Sequence, residues 1–273
     1  CKVTAQDKWS EKTALSIIDK YPKAWQIDGA EKPKWDYKIG FALVAFEKTY
    51  QKTHNKKYLD YVKEYANELI DSTGNIASYD VKEYNIDYIN PGKMLFDLYD
   101  LTKEKRYRKA MTLLRNQIQN QPRNASGGFW HKQIYPNQMW LDGLYMCEPF
   151  YARYTVEYEN GKGLRDIAKQ FELVQNHFID KKTGLLYHAW DGSKQIAWAN
   201  PTTGTSPTIW TRGMGWYIMA LVDVLDYYPK NHQKQKVLVE YLNQLAKALL
   251  TNKDTSELWF QVTDKPMLKN NYL

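Results

Sequence analysis

Amphipathic helices of two kinds alternate along this chain. One kind sets charged residues opposite an apolar stripe, and in 57–71 the apolar side chains recur every three or four positions. The other kind has fewer charges and more aromatic residues. The charged helices are predicted at 57–71, 105–118, 164–178 and 235–250, and the aromatic-rich ones at 37–50, 90–101, 138–157 and 210–227, after a first helix at 10–20. This pattern predicts an all-α fold of stacked helical hairpins.

The spacing of the charged helices indicates a structural repeat. Their starting points are separated by 49, 57 and 73 residues, near Tyr58, Tyr107, Leu164 and Val237. Hairpin repeats of this length stack so that neighbours bury each other's apolar faces. The longer steps leave room for loops at 120–137 and 179–209, and the second loop is predicted to hold a hairpin between LLYHAWDG and KQIAWAN. We expect one α/α-barrel domain over residues 1–273.

Polar and aromatic side chains gather at the N-terminal ends of the aromatic-rich helices. They are Trp35, Asp36, Tyr37, Asp87, Trp140, Asp142, Trp210, Arg212 and Trp216. In a closed ring of hairpins these helix ends face one central cleft. The sequence therefore predicts a single site that these ends share.

The stretch 127–146, GGFWHKQIYPNQMWLDGLYM, has the highest density of chemically active groups. His131 and Lys132 lie on a predicted loop, and Asp142 lies in the first turn of the next helix. An acid there can simply interact with the helix dipole, which is worth about 0.3–1 kcal/mol. It can also be a proton donor in an aromatic cleft, because partial burial favours the neutral carboxyl form. Asp87, in NIDYINPG, is either a turn residue or a second acid of the site.

Two further residues also have structural and functional interpretations. His188, in LLYHAWDG, is either a hydrogen-bonded loop histidine or a cleft residue. Arg212 lies between two tryptophans in WTRGMGW, which fits cation–π packing as well as carboxylate recognition. The recurrence of such groups at equivalent helix ends favours a functional site.

Composition narrows the class of ligand. The net charge of +7 suits an acidic partner, but the basic residues are interspersed with acidic ones, so we expect no nucleic-acid binding. Ten tryptophans fit a groove that stacks on flat ligand faces. Two cysteines and histidines without ligand spacing predict no metal site. We also expect no cofactor.

Cys1 bears on localisation. It is either the acylated first residue of a bacterial lipoprotein, tethered to a membrane or periplasmic, or an arbitrary start of a cytoplasmic chain. No apolar run approaches the roughly 20 residues that a membrane-spanning helix needs, so no transmembrane segment is expected. The sequence leaves monomer and homodimer open.

Five motifs carry a resemblance to a known family. WDYKIG (35–40), DYINPGKMLF (87–96), GGFWHKQIYPNQMWLDGLYM (127–146), YHAWD (187–191) and WTRGMGWY (210–217) resemble glycoside hydrolase family 105, the unsaturated rhamnogalacturonyl hydrolases. The related family 88, the unsaturated glucuronyl hydrolases, shares fold and mechanism. The resemblance implies an (α/α)6 barrel of twelve helices. Since only nine helices are predicted, we expect the last helices to be missing and the domain to be C-terminally incomplete.

The resemblance also implies a reaction. A 4,5-unsaturated galacturonyl residue is removed from the non-reducing end of a lyase-generated pectin oligosaccharide, by hydration of the vinyl ether double bond. Asp142 matches the general acid/base, and Asp87 matches a second catalytic Asp that helps to hold water or sugar hydroxyls. The matching substrate-binding residues are His131, Lys132, His188 and Arg212, with Tyr37, Trp140, Trp210 and Trp216 as aromatic walls. The alternatives are a family 88-like glucuronyl hydrolase and a non-catalytic sugar-binding barrel.

Overall fold

The computed structural model describes residues 9–268 and residue 271, and in this part of the chain the fold is helical apart from two short strands. The described α-helices are α1 (Trp9–Lys20), α2 (Tyr37–Thr53), α3 (Lys56–Leu69), α4 (Met94–Thr102), α5 (Lys105–Asn120), α6 (Leu141–Tyr158), α7 (Leu164–His177), α8 (Thr211–Leu225) and α9 (Gln233–Thr251). Each predicted helix has a counterpart whose ends differ by at most a few residues. The prediction of an all-α fold is confirmed.

Cys1, on which the expectation of a lipid anchor depends, lies outside the described residues. Among the residues that are described, no helix is both long and apolar enough to cross a membrane. The anchor therefore stays a prediction.

Contacts within the chain define two compact units. The first comprises the described residues up to Val81 together with Asp87–Gln117. The second comprises Lys82–Ile86 and the described residues from Ile118 onward. The prediction of one barrel domain over the whole chain stays a prediction.

In the first unit, α2 packs against α1, α3 and α4. Trp35 is completely buried there, stacked on Tyr65 at 6.1 Å between ring centroids, and its indole N–H donates to the carbonyl of Tyr88. Asp36 is the N-cap of α2, where its carboxylate accepts from the backbone N–H of Lys38 at 2.9 Å. Trp35 is therefore a core residue and not the cleft residue that the sequence pattern indicated, whereas Asp36 caps α2.

The repeat has a second marker in the turns that follow the charged helices. After each of these helices an Asp or Asn side chain accepts hydrogen bonds from backbone N–H groups two to four residues ahead; these residues are Asp71, Asn124, Asp180 and Asp254. Such side chains turn the backbone without a sheet or helix partner. Hydrogen bonding, chiefly from the Thr73 hydroxyl, lowers the pKa of Asp71 to about 2.

In the second unit, α6 forms the core. It is buried over most of its length and packs against α7 and α8, and α9 covers α7 and α8. The unit also contains strands β1 (Gln138–Trp140) and β2 (Ala189–Asp191).

The predicted pairing of LLYHAWDG with KQIAWAN is wrong, because within 179–209 Trp190 forms its antiparallel bridge with Thr205 instead. Strand β2 pairs antiparallel with β1, about 50 residues earlier, in the register Gln138 to Asp191 and Trp140 to Ala189. After β2 the Asp191 carboxylate accepts from the backbone N–H groups of Ser193, Gln195 and Ile196, and the chain returns to β2 only at 204–206. Residues 193–197 are consequently an exposed turn.

Candidate active site

The two strands bring His188 to the beginning of α6. Strand β1 runs directly into the helix, so that Trp140 is its N-cap residue and Asp142 lies in its first turn. His188 immediately precedes β2, and its carbonyl accepts the backbone N–H of Leu141 at 3.1 Å. A long-range backbone pairing thereby fixes two predicted site residues next to each other.

Asp142 and His188 face each other across a short gap. Oδ2 of Asp142 lies 3.5 Å from Nδ1 of His188, and their side chains are 17% and 22% exposed. This distance is longer than an ordinary hydrogen bond, and neither atom has a hydrogen-bond partner among the described residues. Each therefore retains the capacity to bind a further polar group.

Burial sets the charge of His188. It lowers the pKa of the imidazole below its usual 6.5; the carboxylate of Asp142 opposes this change, and the charges of His131 and Arg212 reinforce it. His188 is therefore neutral at neutral pH, and the carboxyl group of Asp142 has an uncharged imidazole beside it.

Trp140 lies in a stack of rings on one side of this pair. The ring of His131 is 4.4 Å from Trp140 and inclined by only 12°, and Tyr135 lies 5.0 Å away at 21°. The centroids of Trp140 and His188 are 5.6 Å apart. His131 is almost fully buried, whereas Lys132 beside it is partly exposed. We call His131, Tyr135 and Trp140 the aromatic wall.

Trp210 and Arg212 lie on the other side. Trp210 is the N-cap residue of α8 and meets His188 edge to face at 4.9 Å. The Arg212 guanidinium lies 4.1 Å from the centroid of the Trp210 ring. Arg212 is exposed. The cation–π interpretation of Arg212 is thus correct, and it is compatible with carboxylate binding because a stacked guanidinium still presents its N–H groups at the edge.

Two glycines let the histidine rings approach the helix ends. A Cβ atom at Gly213 would lie 3.0 Å from Nδ1 of His188, and one at Gly143 would lie 3.2 Å from Nδ1 of His131. Both distances are shorter than ordinary contacts of a side chain. The sequence shows these glycines in WLDG at 140–143 and WTRG at 210–213. Only the positions of the two histidines in the fold show why glycine is needed there.

Trp216 is partly exposed on α8 and stacks on Tyr145 at 5.0 Å. Tyr145 is buried on α6, and burial raises the pKa of its hydroxyl well above the usual range. Sequence reasoning selected Trp216 but missed Tyr145, which supports it from one turn beyond Asp142.

Tyr37 and Asp87 belong to the first unit. Tyr37 is the first residue of α2 and is partly exposed, and Asp87 is 8% exposed in a 3₁₀ helix at Ile86–Lys93. Their participation in a site with Asp142 stays a prediction. In the described part of the chain, no group of three or more His, Cys, Asp or Glu side chains is placed to hold a metal ion.

Stacked helical hairpins with a carboxyl group beside aromatic rings at the helix ends are the arrangement of a carbohydrate-cleaving enzyme. Residues 9–273 match the family described as Glycosyl Hydrolase Family 88. The chain belongs to this family and is a glycoside hydrolase. The resemblance that the motifs indicated is confirmed.

Several relatives extend this result. The chain is 26% identical over 269 residues to the unsaturated rhamnogalacturonyl hydrolase YesR of Bacillus subtilis (strain 168), covering 96% of this chain and 73% of that protein. It is 44% identical to a solved glycoside hydrolase of family 105 from C. acetobutylicum ATCC 824, with a TM-score of 0.92, covering 98% of this chain and 72% of that one. An unsaturated glucuronyl hydrolase from Bacillus sp. GL1 shares the fold at 15% identity, with a TM-score of 0.70 over 97% of this chain and 73% of that one.

Proposed function

We propose that this enzyme removes a 4,5-unsaturated galacturonyl residue from the non-reducing end of rhamnogalacturonan oligosaccharides by hydrating the double bond. The similarity to YesR and to a family 105 glycoside hydrolase supports an unsaturated uronyl substrate. The single observation that carries the mechanism is the carboxyl group of Asp142 beside the neutral His188, at the edge of the aromatic wall.

Asp142 acts first as an acid and then as a base. Its carboxyl group gives a proton to C4 of the unsaturated ring, and the positive charge that develops at C5 is shared with the ring oxygen. The resulting carboxylate accepts a proton from a water molecule while that water attacks C5. The hemiketal that forms opens, and the neighbouring sugar leaves. Because the anomeric carbon is not attacked, this chemistry differs from the two-carboxylate mechanism of most glycosidases.

Arg212 supplies the recognition of the uronate. A guanidinium group donates two parallel hydrogen bonds to a carboxylate, and Arg212 is exposed at the N-terminal end of α8 with its plane supported by Trp210. Lys132, partly exposed beside His131, adds a second positive charge. The aromatic wall provides the flat apolar surface on which a sugar ring stacks.

The test uses two disaccharides that differ only in the C4–C5 double bond. We expect the unsaturated galacturonyl-rhamnose to lose its vinyl ether absorbance and release rhamnose, and the saturated disaccharide to remain intact. Cleavage of both at similar rates would overturn the hydration mechanism. Faster turnover of an unsaturated glucuronyl-hexosamine would replace the proposed substrate by the family 88 alternative, and binding without turnover would indicate a non-catalytic sugar-binding protein.

A further inference from the structure

A second acidic side chain lies on α6, less than two turns after Asp142. Glu148 is 1% exposed, and its Oε2 has no hydrogen-bond partner among the described residues. The chemistry proposed for Asp142 does not use it. A buried carboxyl group without a partner is costly, so its presence in the core of the second unit needs an explanation.

Glu148 borders a small cavity beneath the aromatic wall. The apolar part of its lining is Ile86, Phe129, Met139, Gly143 and Leu144, and the polar part is His131, Trp140, Glu148 and Gln170. The centre of a water molecule can occupy a volume of about 10 Å³ in this cavity. The cavity therefore has room for about one water molecule.

Two of the polar groups in this lining are engaged elsewhere. Gln170 accepts from the backbone N–H of Phe129 at 3.0 Å and donates to the carbonyl of Gly127 at 3.2 Å. The indole N–H of Trp140 donates to the side chain of Gln138 at 3.2 Å. The carboxyl group of Glu148, whose Oε2 has no partner among the described residues, can therefore bind a polar molecule in the cavity.

The surroundings of Glu148 favour its neutral form. Burial raises the pKa of this carboxyl well above its usual value, and the negative charge of Asp166 raises it further. Arg123 opposes the shift, but its guanidinium is held by Asp166 through two hydrogen bonds of 2.7 Å. The other titratable groups near Glu148 are His131 across the cavity and the hydroxyl of Tyr228. Burial and Asp166 therefore both favour the protonated form of Glu148, which can donate a hydrogen bond.

We propose that Glu148 is a positioning residue for the aromatic wall: its carboxyl group binds one water molecule in the cavity, and this water holds the His131 ring flat against Trp140. Glu148 acts through His131 and touches neither substrate nor reacting atoms. The role rests on the proposed function to the extent that the wall stacks on a sugar, whereas the water site and the ring contact are independent of the substrate.

Three variants separate this role from a structural one. Glu148→Leu removes the polar group at similar volume, Glu148→Gln retains a neutral donor, and Glu157→Gln makes the same change at a partly exposed position of α6 as a control. We expect Glu148→Leu to lower kcat/KM about 10- to 100-fold, mainly through KM, since small displacements of a binding surface are costly. Its Tm should stay the same or rise, because an apolar side chain suits a largely apolar site. Glu148→Gln should retain most of the activity, and Glu157→Gln all of it.

The pH dependence of the activity is a second measurement, and a purely structural role of Glu148 would not change it. Ionisation of Glu148 as the pH rises through its raised pKa places a negative charge beneath the wall, so the wild type should lose activity through a rise in KM. Glu148→Gln cannot ionise and should lack this loss, whereas Glu157→Gln should retain it.

Histidine NMR tests the contact without any substrate. The chain has five histidines, and the His131 resonance can be assigned from its absence in His131→Gln. We expect Glu148→Leu to shift this resonance and leave those of the exposed His54 and of His232 in place. An unchanged His131 resonance together with wild-type kcat/KM would overturn the proposal, as would a loss of Tm and activity that Glu148→Gln does not restore. If no unsaturated uronide is cleaved, the proposed function fails, while the resonance still decides the role of Glu148.

Discussion

Two parts of the second unit are built alike and carry opposite charges. In each, a tryptophan is the N-cap of a helix, a charged residue lies two positions later, and the following glycine lets an imidazole approach. The two sets are Trp140, Asp142 and Gly143 with His131, and Trp210, Arg212 and Gly213 with His188. We call them the acidic half-site and the basic half-site.

The half-sites differ in their exposure to water. The side chain of Asp142 is only 17% exposed, and its Oδ2 is completely buried, whereas Arg212 is exposed. Proton transfer benefits from a protected carboxyl group, and the capture of an anionic substrate benefits from an accessible guanidinium. Under the proposed function, one repeated framework would serve chemistry on α6 and binding on α8. This division predicts that changes in the acidic half-site lower kcat and that changes in the basic half-site raise KM.

The largest effect is expected from Asp142→Asn. The amide cannot give a proton to C4, so kcat on an unsaturated disaccharide should fall by about 10²–10⁴-fold with little change in KM or Tm. The control is Asp226→Asn, which changes an exposed acid at the C-terminal end of α8 and should leave kinetics unchanged. Full activity of the Asp142 variant would remove the acid from the mechanism.

Arg212→Gln should have the next largest effect. Loss of a hydrogen-bonded charge costs about 1.5–3 kcal/mol, which corresponds to a rise in KM of about 10- to 100-fold, while kcat changes by only a few fold. Arg212→Lys should recover part of the loss, because an ammonium group preserves the charge without the planar fork. Steady-state kinetics separates the two constants. A fall in kcat equal to that of Asp142→Asn, with KM unchanged, would contradict the division between half-sites.

His188 links the two half-sites and should make the free energy of unfolding depend on pH. Burial lowers its pKa, so below about pH 6.5 the unfolded chain binds a proton at this position that the folded enzyme does not. The free energy of unfolding should therefore decrease as pH falls through the range below 6.5. In His188→Gln this decrease should be smaller, though some remains because burial also lowers the pKa of His177. Thermal unfolding from neutral to acidic pH measures it, and equal slopes for both proteins would show that His188 does not contribute.

The smallest effect is expected from Gly213→Ala. The added methyl group would lie 3.0 Å from the His188 ring and displace it, so kcat/KM should fall several-fold. Gly215→Ala is the matched control on the same helix, where the added Cβ meets no atom within 4 Å apart from its chain neighbours and the adjacent backbone of α8. Both variants gain up to about 1 kcal/mol of helix propensity, and only the first should lose activity. Equal activity of the two variants would show that the approach of His188 to α8 is not important.

The helices and much of the candidate site could be predicted because the information is local. The positions of Trp140, Asp142 and Arg212 follow from helix periodicity and from the concentration of unusual residues at helix starts. Trp35 looks the same in sequence, and only its burial against Tyr65 shows that it belongs to the core.

The contacts that give the site its chemistry could not be predicted. The pairing of β1 with β2 joins segments about 50 residues apart, and the 3.5 Å approach of Asp142 to His188 depends on it. No local pattern specifies such a register. Glu148 was missed for a similar reason: a single acid in a mostly apolar helix gives no indication of the cavity that it borders.

In the proposed mechanism the neighbouring sugar is released through hydration of the C4–C5 double bond, with a proton delivered to C4. The most direct test is turnover of the unsaturated disaccharide in D₂O, followed by NMR over the first part of the reaction. We expect the vinylic signal to disappear in step with release of the neighbouring sugar, and one deuterium to enter at C4. Release of the neighbouring sugar with the double bond still intact in the uronic acid would contradict it.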